Sequence, residues 1–118
     1  MKNAEVSKEL MNKAYEAIEI AKKTGKIKKG SNEVTKAIEK GIAKLVVVAN
    51  DVNPPEVIMH IQPLCEEKSI PVVIVQSKEE LGAAAGLSVS TAAVAIIQEG
   101  DAKNVIKDIA SKINKSSE

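Results

Sequence analysis

The sequence predicts an α/β layered fold, a central sheet with helices on both faces. Two observations predict it. Leu45-Val46-Val47-Val48-Ala49 and Val72-Val73-Ile74-Val75 are short, continuous, β-branched runs, as strands buried on both faces require. Segments with three-and-four apolar spacing alternate with these runs, and Gly, Pro, Asn or Asp punctuates the changes. A helix–strand alternation of this kind is satisfied by layers.

The elements follow in order. Ala4 to Lys23 reads as an amphipathic helix, with Val6, Leu10, Met11, Ala14, Ala17, Ile18 and Ala21 on one face and Thr24-Gly25 as its stop. Lys26-Ile27-Lys28-Lys29 is long enough only for an edge strand, and its lysines discourage edge-to-edge pairing. Ser31 is the expected N-cap of a helix running to about Lys40 and ending at Gly41. Its inner side is Val34, Ala37 and Ile38; Asn32 and Lys36 fall opposite, with Glu33 beside them.

After the Leu45–Ala49 strand, Asn50 to Pro55 breaks the chain, and a helix is expected from Pro55 or Glu56 to about Lys68, kinked or divided at Pro63. The Val72–Val75 strand precedes a helix from Lys78 to about Ala85, capped by Ser77 with Glu80 in the capping-box position. Gly86 to Ser90 reads as loop, Ala92 to Ile97 as a third main strand, and Lys103 to Ile113 as a last helix before a frayed tail from Asn114. The whole chain, 1–118, is expected to form one domain. In layered sheets, sites gather at strand ends, so Lys28 to Glu33, Asn50 to Glu56 and Gly86 to Ser90 are the loops to watch.

Composition removes several function classes. There is no Phe, no Trp and one Tyr, so modules that stack bases on aromatic side chains are excluded. A net charge of +1 offers no global basic field, so any nucleic-acid site must be local and shape-specific. One Cys and one His cannot build a Cys/His zinc site, and the single thiol fits a reducing compartment. The N-terminus has no apolar signal region and no stretch reaches spanning length, so a cytoplasmic protein with no membrane partner is expected.

Candidate chemistry is sparse. Gly25 and Gly30 have the spacing of a phosphate loop, but Ser31-Asn32 stand where Lys and Ser/Thr are required, and the loop follows a helix. Gly82 and Gly86 form a small-xxx-small pattern, read here as close helix packing. His60 lacks catalytic partners in sequence and is expected to be a partly buried structural histidine; Cys65 is expected to be an inert packed thiol. Asp51 and Glu56 are a possible carboxylate pair, equally explained as a loop anion and a helix N-terminal acid. Lys78 could meet a phosphate or simply face solvent. Leu87 and Val89 either tuck onto the core or make a contact. No nucleophile, base and oxyanion site assemble, so no enzyme and no cofactor are expected.

Gly30-Ser31-Asn32-Glu33-Val34-Thr35-Lys36 resembles the glycine-x-Asn-Glu-x-x-Lys motif of the ribosomal protein L-seven-Ae family, the kink-turn RNA-binding proteins. Leu64 to Pro71 resembles its central segment, and Ser77 to Gly82 with Ala84-Ala85-Gly86 the part that follows. The likeness covers roughly residues 25 to 100 and is nearest to the archaeal members. It implies a three-layer α-β-α sandwich with a central mixed sheet of about four strands, a monomer when free, and no enzymatic activity. It implies that Asn32, Glu33 and Lys36 contact the guanines of tandem sheared G·A pairs. A sheared pair leaves guanine O6 and N1–H free, so Asn and Lys can donate to the first and Glu can accept from the second. Lys28, Lys29, Gly30 and Ser31 would hold flanking phosphates at a helix start.

By the same resemblance Asn53, Pro54, Val57 and Lys78 surround a flipped-out bulge base, and Leu87, Ser88 and Val89 pack over the bulge. Val89 stands where several eukaryotic relatives carry arginine, which takes away a guanidinium–phosphate contact and widens the range of RNAs to kinked terminal loops. The implied partners are ribosomal RNA, box C/D and H/ACA guide RNA, ribonuclease P RNA, and the other proteins of the guide-RNA particles, with Asn53 to Cys65 the region for protein contact. The alternative is a protein–protein adaptor of the same fold without RNA selectivity.

Overall fold

The structure is a computed structural model that describes residues 8–52 and 58–116. In order, these form α1 (Lys8–Thr24), β1 (Lys26–Lys29), α2 (Ser31–Glu39), β2 (Leu45–Ala49), α3 (Ile61–Glu67), β3 (Val72–Val75), α4 (Lys78–Ala84), β4 (Ala93–Gln98), a 3-10 turn (Gly100–Ala102) and α5 (Lys103–Ser116). The four strands make one mixed sheet in the order β1-β4-β2-β3. β2 and β3 are parallel, and β4 runs antiparallel to both β1 and β2.

All five β2 residues are buried, because the sheet is covered on both sides. Side chains alternate between two cores, as a strand's period of two demands. Leu45, Val47 and Ala49 join Val94 and Ile96 beneath α1, α4 and α5. Val46 and Val48 join Ala93 and Ala95 beneath α2 and α3, where Val34, Ala37, Ile38, Ile61 and Cys65 close the second core. This is the three-layer sandwich, with α1, α4 and α5 on one face and α2 and α3 on the other. Lys13 with Asp108, and Lys112 with Glu9 at 3.4 Å, tie α1 to α5 across the outside of the first layer.

Several boundaries differ from the sequence reading. Ser31 is the first residue of α2 and not its cap; Gly30 holds the cap position at φ 97° and ψ 148°, a conformation that side-chain-bearing residues rarely adopt. The helix expected from Pro55 is described only from Ile61, after a turn at Ile58–His60. Pro63 lies in the first turn of α3, where a missing N–H leaves no intrahelical bond unmade, so it neither kinks nor divides the helix. α5 continues to Ser116, so Asn114 to Ser116 are helical and not frayed. Ala4 to Ser7 and residues 53–57 lie outside the described residues.

Gly82 is needed for a close approach, though to a loop and not to another helix. A Cβ there would sit 2.2 Å from the Val89 carbonyl oxygen. The loop after α4 runs back along that helix, with the Leu87 N–H donating to the Gly82 carbonyl at 2.9 Å and the Thr91 N–H to the Lys78 carbonyl at 3.2 Å. Gly82→Ala must push this backbone away. It is expected to lower stability by about 1–3 kcal/mol, the usual range for overpacking, as read by urea denaturation.

Candidate nucleic-acid interface

The sheet register gathers the watched loops at one end. Lys29 pairs with Val94 at the start of β4, Val48 pairs with Ala93, and Ala49 pairs with Val75. The C-terminal ends of β1, β2 and β3 and the N-terminal end of β4 therefore share one edge of the molecule. Backbone bonds seal that edge: Gly30 N–H to Ala93 O, Ala49 N–H to Ala92 O and Asn50 N–H to Val75 O, each 2.9 Å. The α2 and α4 N-termini both start there.

The two helix starts are chemically unlike. At α4, the Ser77 hydroxyl accepts from the Glu80 N–H at 3.1 Å, as the capping position predicts. The Asp51 carboxylate accepts from the Lys78 N–H at 2.9 Å, and Glu79 and Glu80 add negative charge to the first turn. Asp51 thus serves as a loop anion at a helix start, the role open to it from sequence; Glu56 lies outside the described residues. At α2 no side chain caps the helix. Its first-turn N–H groups and the positive end of its dipole are left open to an acceptor from outside.

The residues around the open start are displayed as the helical spacing predicts. Asn32, Glu33 and Lys36 are exposed, while Val34, Ala37 and Ile38 are buried behind them. Lys28 and Lys29 are exposed at the end of the edge strand, and Gly30 and Ser31 are half-buried at the bend. Lys28 pairs with Ala95, whose side chain belongs to the α2 side of the sheet, so Lys28 shares that side with α2. Lys29 pairs with Val94 and belongs to the opposite side.

The remaining candidates divide. Lys78 is half-buried with its backbone N–H committed to Asp51. Leu87 is half-buried and packs against the core, which anchors its loop. Ser88 is exposed, and Val89 is 67% exposed. Asn53, Pro54 and Val57 lie outside the described residues.

The sequence of the Ribosomal protein L7Ae/L30e/S12e/Gadd45 family matches this chain over residues 12–106. The chain belongs to this family. A solved structure, that of the Giardia lamblia 15.5kD RNA binding protein, is similar with a TM-score of 0.88 and 32% sequence identity. The likeness covers 93% of this chain and 92% of the Giardia lamblia chain.

Three features were not legible as site features from sequence. His60 is exposed, not partly buried, and its Nε2 lies 2.7 Å from the Thr35 hydroxyl on α2. Asp51 reaches across to the α4 N-terminus, a contact between residues far apart in sequence. Tyr15 is half-buried on the α1 side, and its phenol is pushed up to about 12 by burial and then by Glu80 and Asp51. It lines an open cleft with Lys8, Met11, Asn12, Gln76 and Glu80. Among the described residues, no group of His, Cys, Asp and Glu could hold a metal ion.

Cys65 is buried, as expected of a packed thiol. Burial, with Glu66 as the lesser cause, raises its pKa to about 11. The thiolate is the reactive species, so iodoacetamide at pH 8 should leave the folded protein unlabelled and label it rapidly in denaturant. Mass spectrometry of the two samples reads the difference.

Proposed function

We propose that this chain is a non-enzymatic RNA-binding protein that recognises kink-turns, with Asn32, Glu33 and Lys36 reading the exposed guanine edges of tandem sheared G·A pairs. The observation that carries the reading is the uncapped start of α2, with Asn32, Glu33 and Lys36 exposed on its outer surface. A cluster built only to hold phosphate has no use for a carboxylate among its lysines. Glu33 accepts from guanine N1–H, while Asn32 and Lys36 donate to O6. Ordinary A-form RNA hides this edge in a narrow groove; a sharply kinked helix presents it.

Around these readers, the α2 first-turn N–H groups with Lys28 and Lys29 take the phosphates on either side. Lys78 at the start of α4 and Leu87, Ser88 and Val89 in the loop after it meet the bulge, and the family resemblance assigns Asn53, Pro54 and Val57 to the same contact. Val89 brings an apolar surface to the RNA and no guanidinium, so it follows shape more than charge. Membership of the family and the likeness to an RNA-binding protein support the RNA partner. The RNAs in view are ribosomal RNA, box C/D and H/ACA guide RNA and ribonuclease P RNA, held bent so that further proteins can join. Met59, 64% exposed just before α3, is apolar surface suited to such a protein contact.

Glu33→Ala is expected to cost about 1–3 kcal/mol of affinity for a kink-turn RNA, the worth of a base-edge contact, measured by gel shift at fixed salt. Replacing the tandem G·A pairs by Watson–Crick pairs should abolish specific binding. Undiminished affinity in that experiment would count against kink-turn recognition.

A further inference from the structure

The chain has one histidine, and it is hydrogen-bonded to the helix that carries the readers. His60 occupies the N-cap position of α3 but caps nothing with its side chain. Instead its Nε2 meets the Thr35 hydroxyl at 2.7 Å, and the same hydroxyl donates to the Ser31 carbonyl at 2.7 Å. A carbonyl oxygen carries no proton, so the single hydroxyl proton of Thr35 points to Ser31. The Thr35 oxygen can then only accept from His60, which fixes the imidazole proton on Nε2. The result is a directional relay, His60 N–H to Thr35 O–H to Ser31 C=O, ending at the first residue of α2.

The relay adds a side-chain tie to the first turn of α2, which the Gly30–Ala93 backbone bond and buried Val34 already seat on the sheet. No side chain caps the helix, and Ser31 and Thr35 flank its buried stripe. A threonine hydroxyl bonded to the carbonyl four residues back normally competes with solvent and bends a helix slightly. Here the imidazole fixes the hydroxyl orientation from outside. Asn32 follows Ser31 directly and Lys36 follows Thr35, so each residue of the relay on α2 is the chain neighbour of a reader. His60 also follows the 53–57 segment, so the relay ties the lead to α3 to the first turn of α2.

We propose that His60 is a positioning residue for RNA recognition, fixing the first turn of α2 through Thr35 without touching the bases itself. The inference rests on the proposed reading of guanines by Asn32, Glu33 and Lys36, and its test separates the two. Because there is only one histidine, its ring nitrogens can be read by long-range 1H–15N correlation without assignment. The Nε2–H form is expected; the Nδ1–H form would overturn the relay.

Binding of a kink-turn RNA is then measured for His60→Ala, Thr35→Val and the double variant, well below the melting temperature of each. Each single change should weaken binding by about three- to tenfold, the worth of one neutral hydrogen bond. The double variant should be no weaker than the poorer single, since both remove one relay. His60→Gln keeps an amide N–H near the Nε2 position and Thr35→Ser keeps the hydroxyl, so both should bind close to the unaltered protein. Additive losses, or equal losses for His60→Gln and His60→Ala, would overturn the positioning role. So would His60→Ala binding normally while Glu33→Ala binds weakly. If Glu33→Ala also binds normally, the guanine reading fails, and the positioning role falls with it.

Discussion

The arrangement depends on one insertion: β4, the last strand in the sequence, lies between β1 and β2 and runs opposite to both. β1 pairs with β4 in this sheet, so the place of Lys28, Lys29 and the entry to α2 is set through β4. By pairing with β1 and β2 at once, β4 brings its own N-terminus to the edge where the other three strands end. The loop before β4, the entry to α2 and the turn after β2 become neighbours through backbone hydrogen bonds. Side-chain chemistry is then added to a frame already set by register, as it is in other layered α/β folds.

Within that frame the two helix starts share an edge but differ in electrostatic state. The α4 start is closed by Ser77 and Asp51 and carries two acidic residues. The α2 start has a glycine where a capping side chain would stand, followed by exposed polar residues. A serine or aspartate at the Gly30 position would bring its own oxygen to satisfy the helix, and would be strained at φ 97°. Glycine gives both the bend and the vacancy. The anion-seeking end of the molecule is therefore directional: it belongs to α2, and α4 beside it is screened.

Much of this was readable from residue spacing. The buried strands announced themselves as unbroken β-branched runs, and the outward face of α2 followed from 100° per residue alone. The Ser77 cap was legible because its partner is three residues away. What sequence missed was either long-range or conformational. Ser31 looked like a cap because serine is a good one, yet the bend was taken one residue earlier by the only residue tolerant of that backbone angle. Pro63 reads as a break only for a helix that begins at Pro55; in α3 it falls in the first turn. His60 reads as a partly buried structural histidine between Met59 and Ile61, but it is exposed and its hydrogen-bond partner, Thr35, lies on a different helix. Asp51 reaches the α4 start only because β2 and β3 are adjacent and parallel.

The pairing of β1 with β4 has a consequence for how the protein comes into being. The strand that leads into α2 is made well before its partner, with two other strands and three helices between them. Contacts so distant in the chain form slowly, since a large loop must close before they are rewarded. A nascent chain that has emerged only as far as α4 has β1 without a neighbour and Gly30 without the Ala93 carbonyl that anchors it. The geometry of this edge is thus withheld until β4 has emerged, so its assembly is timed by the last strand of the sheet and not by the residues it displays.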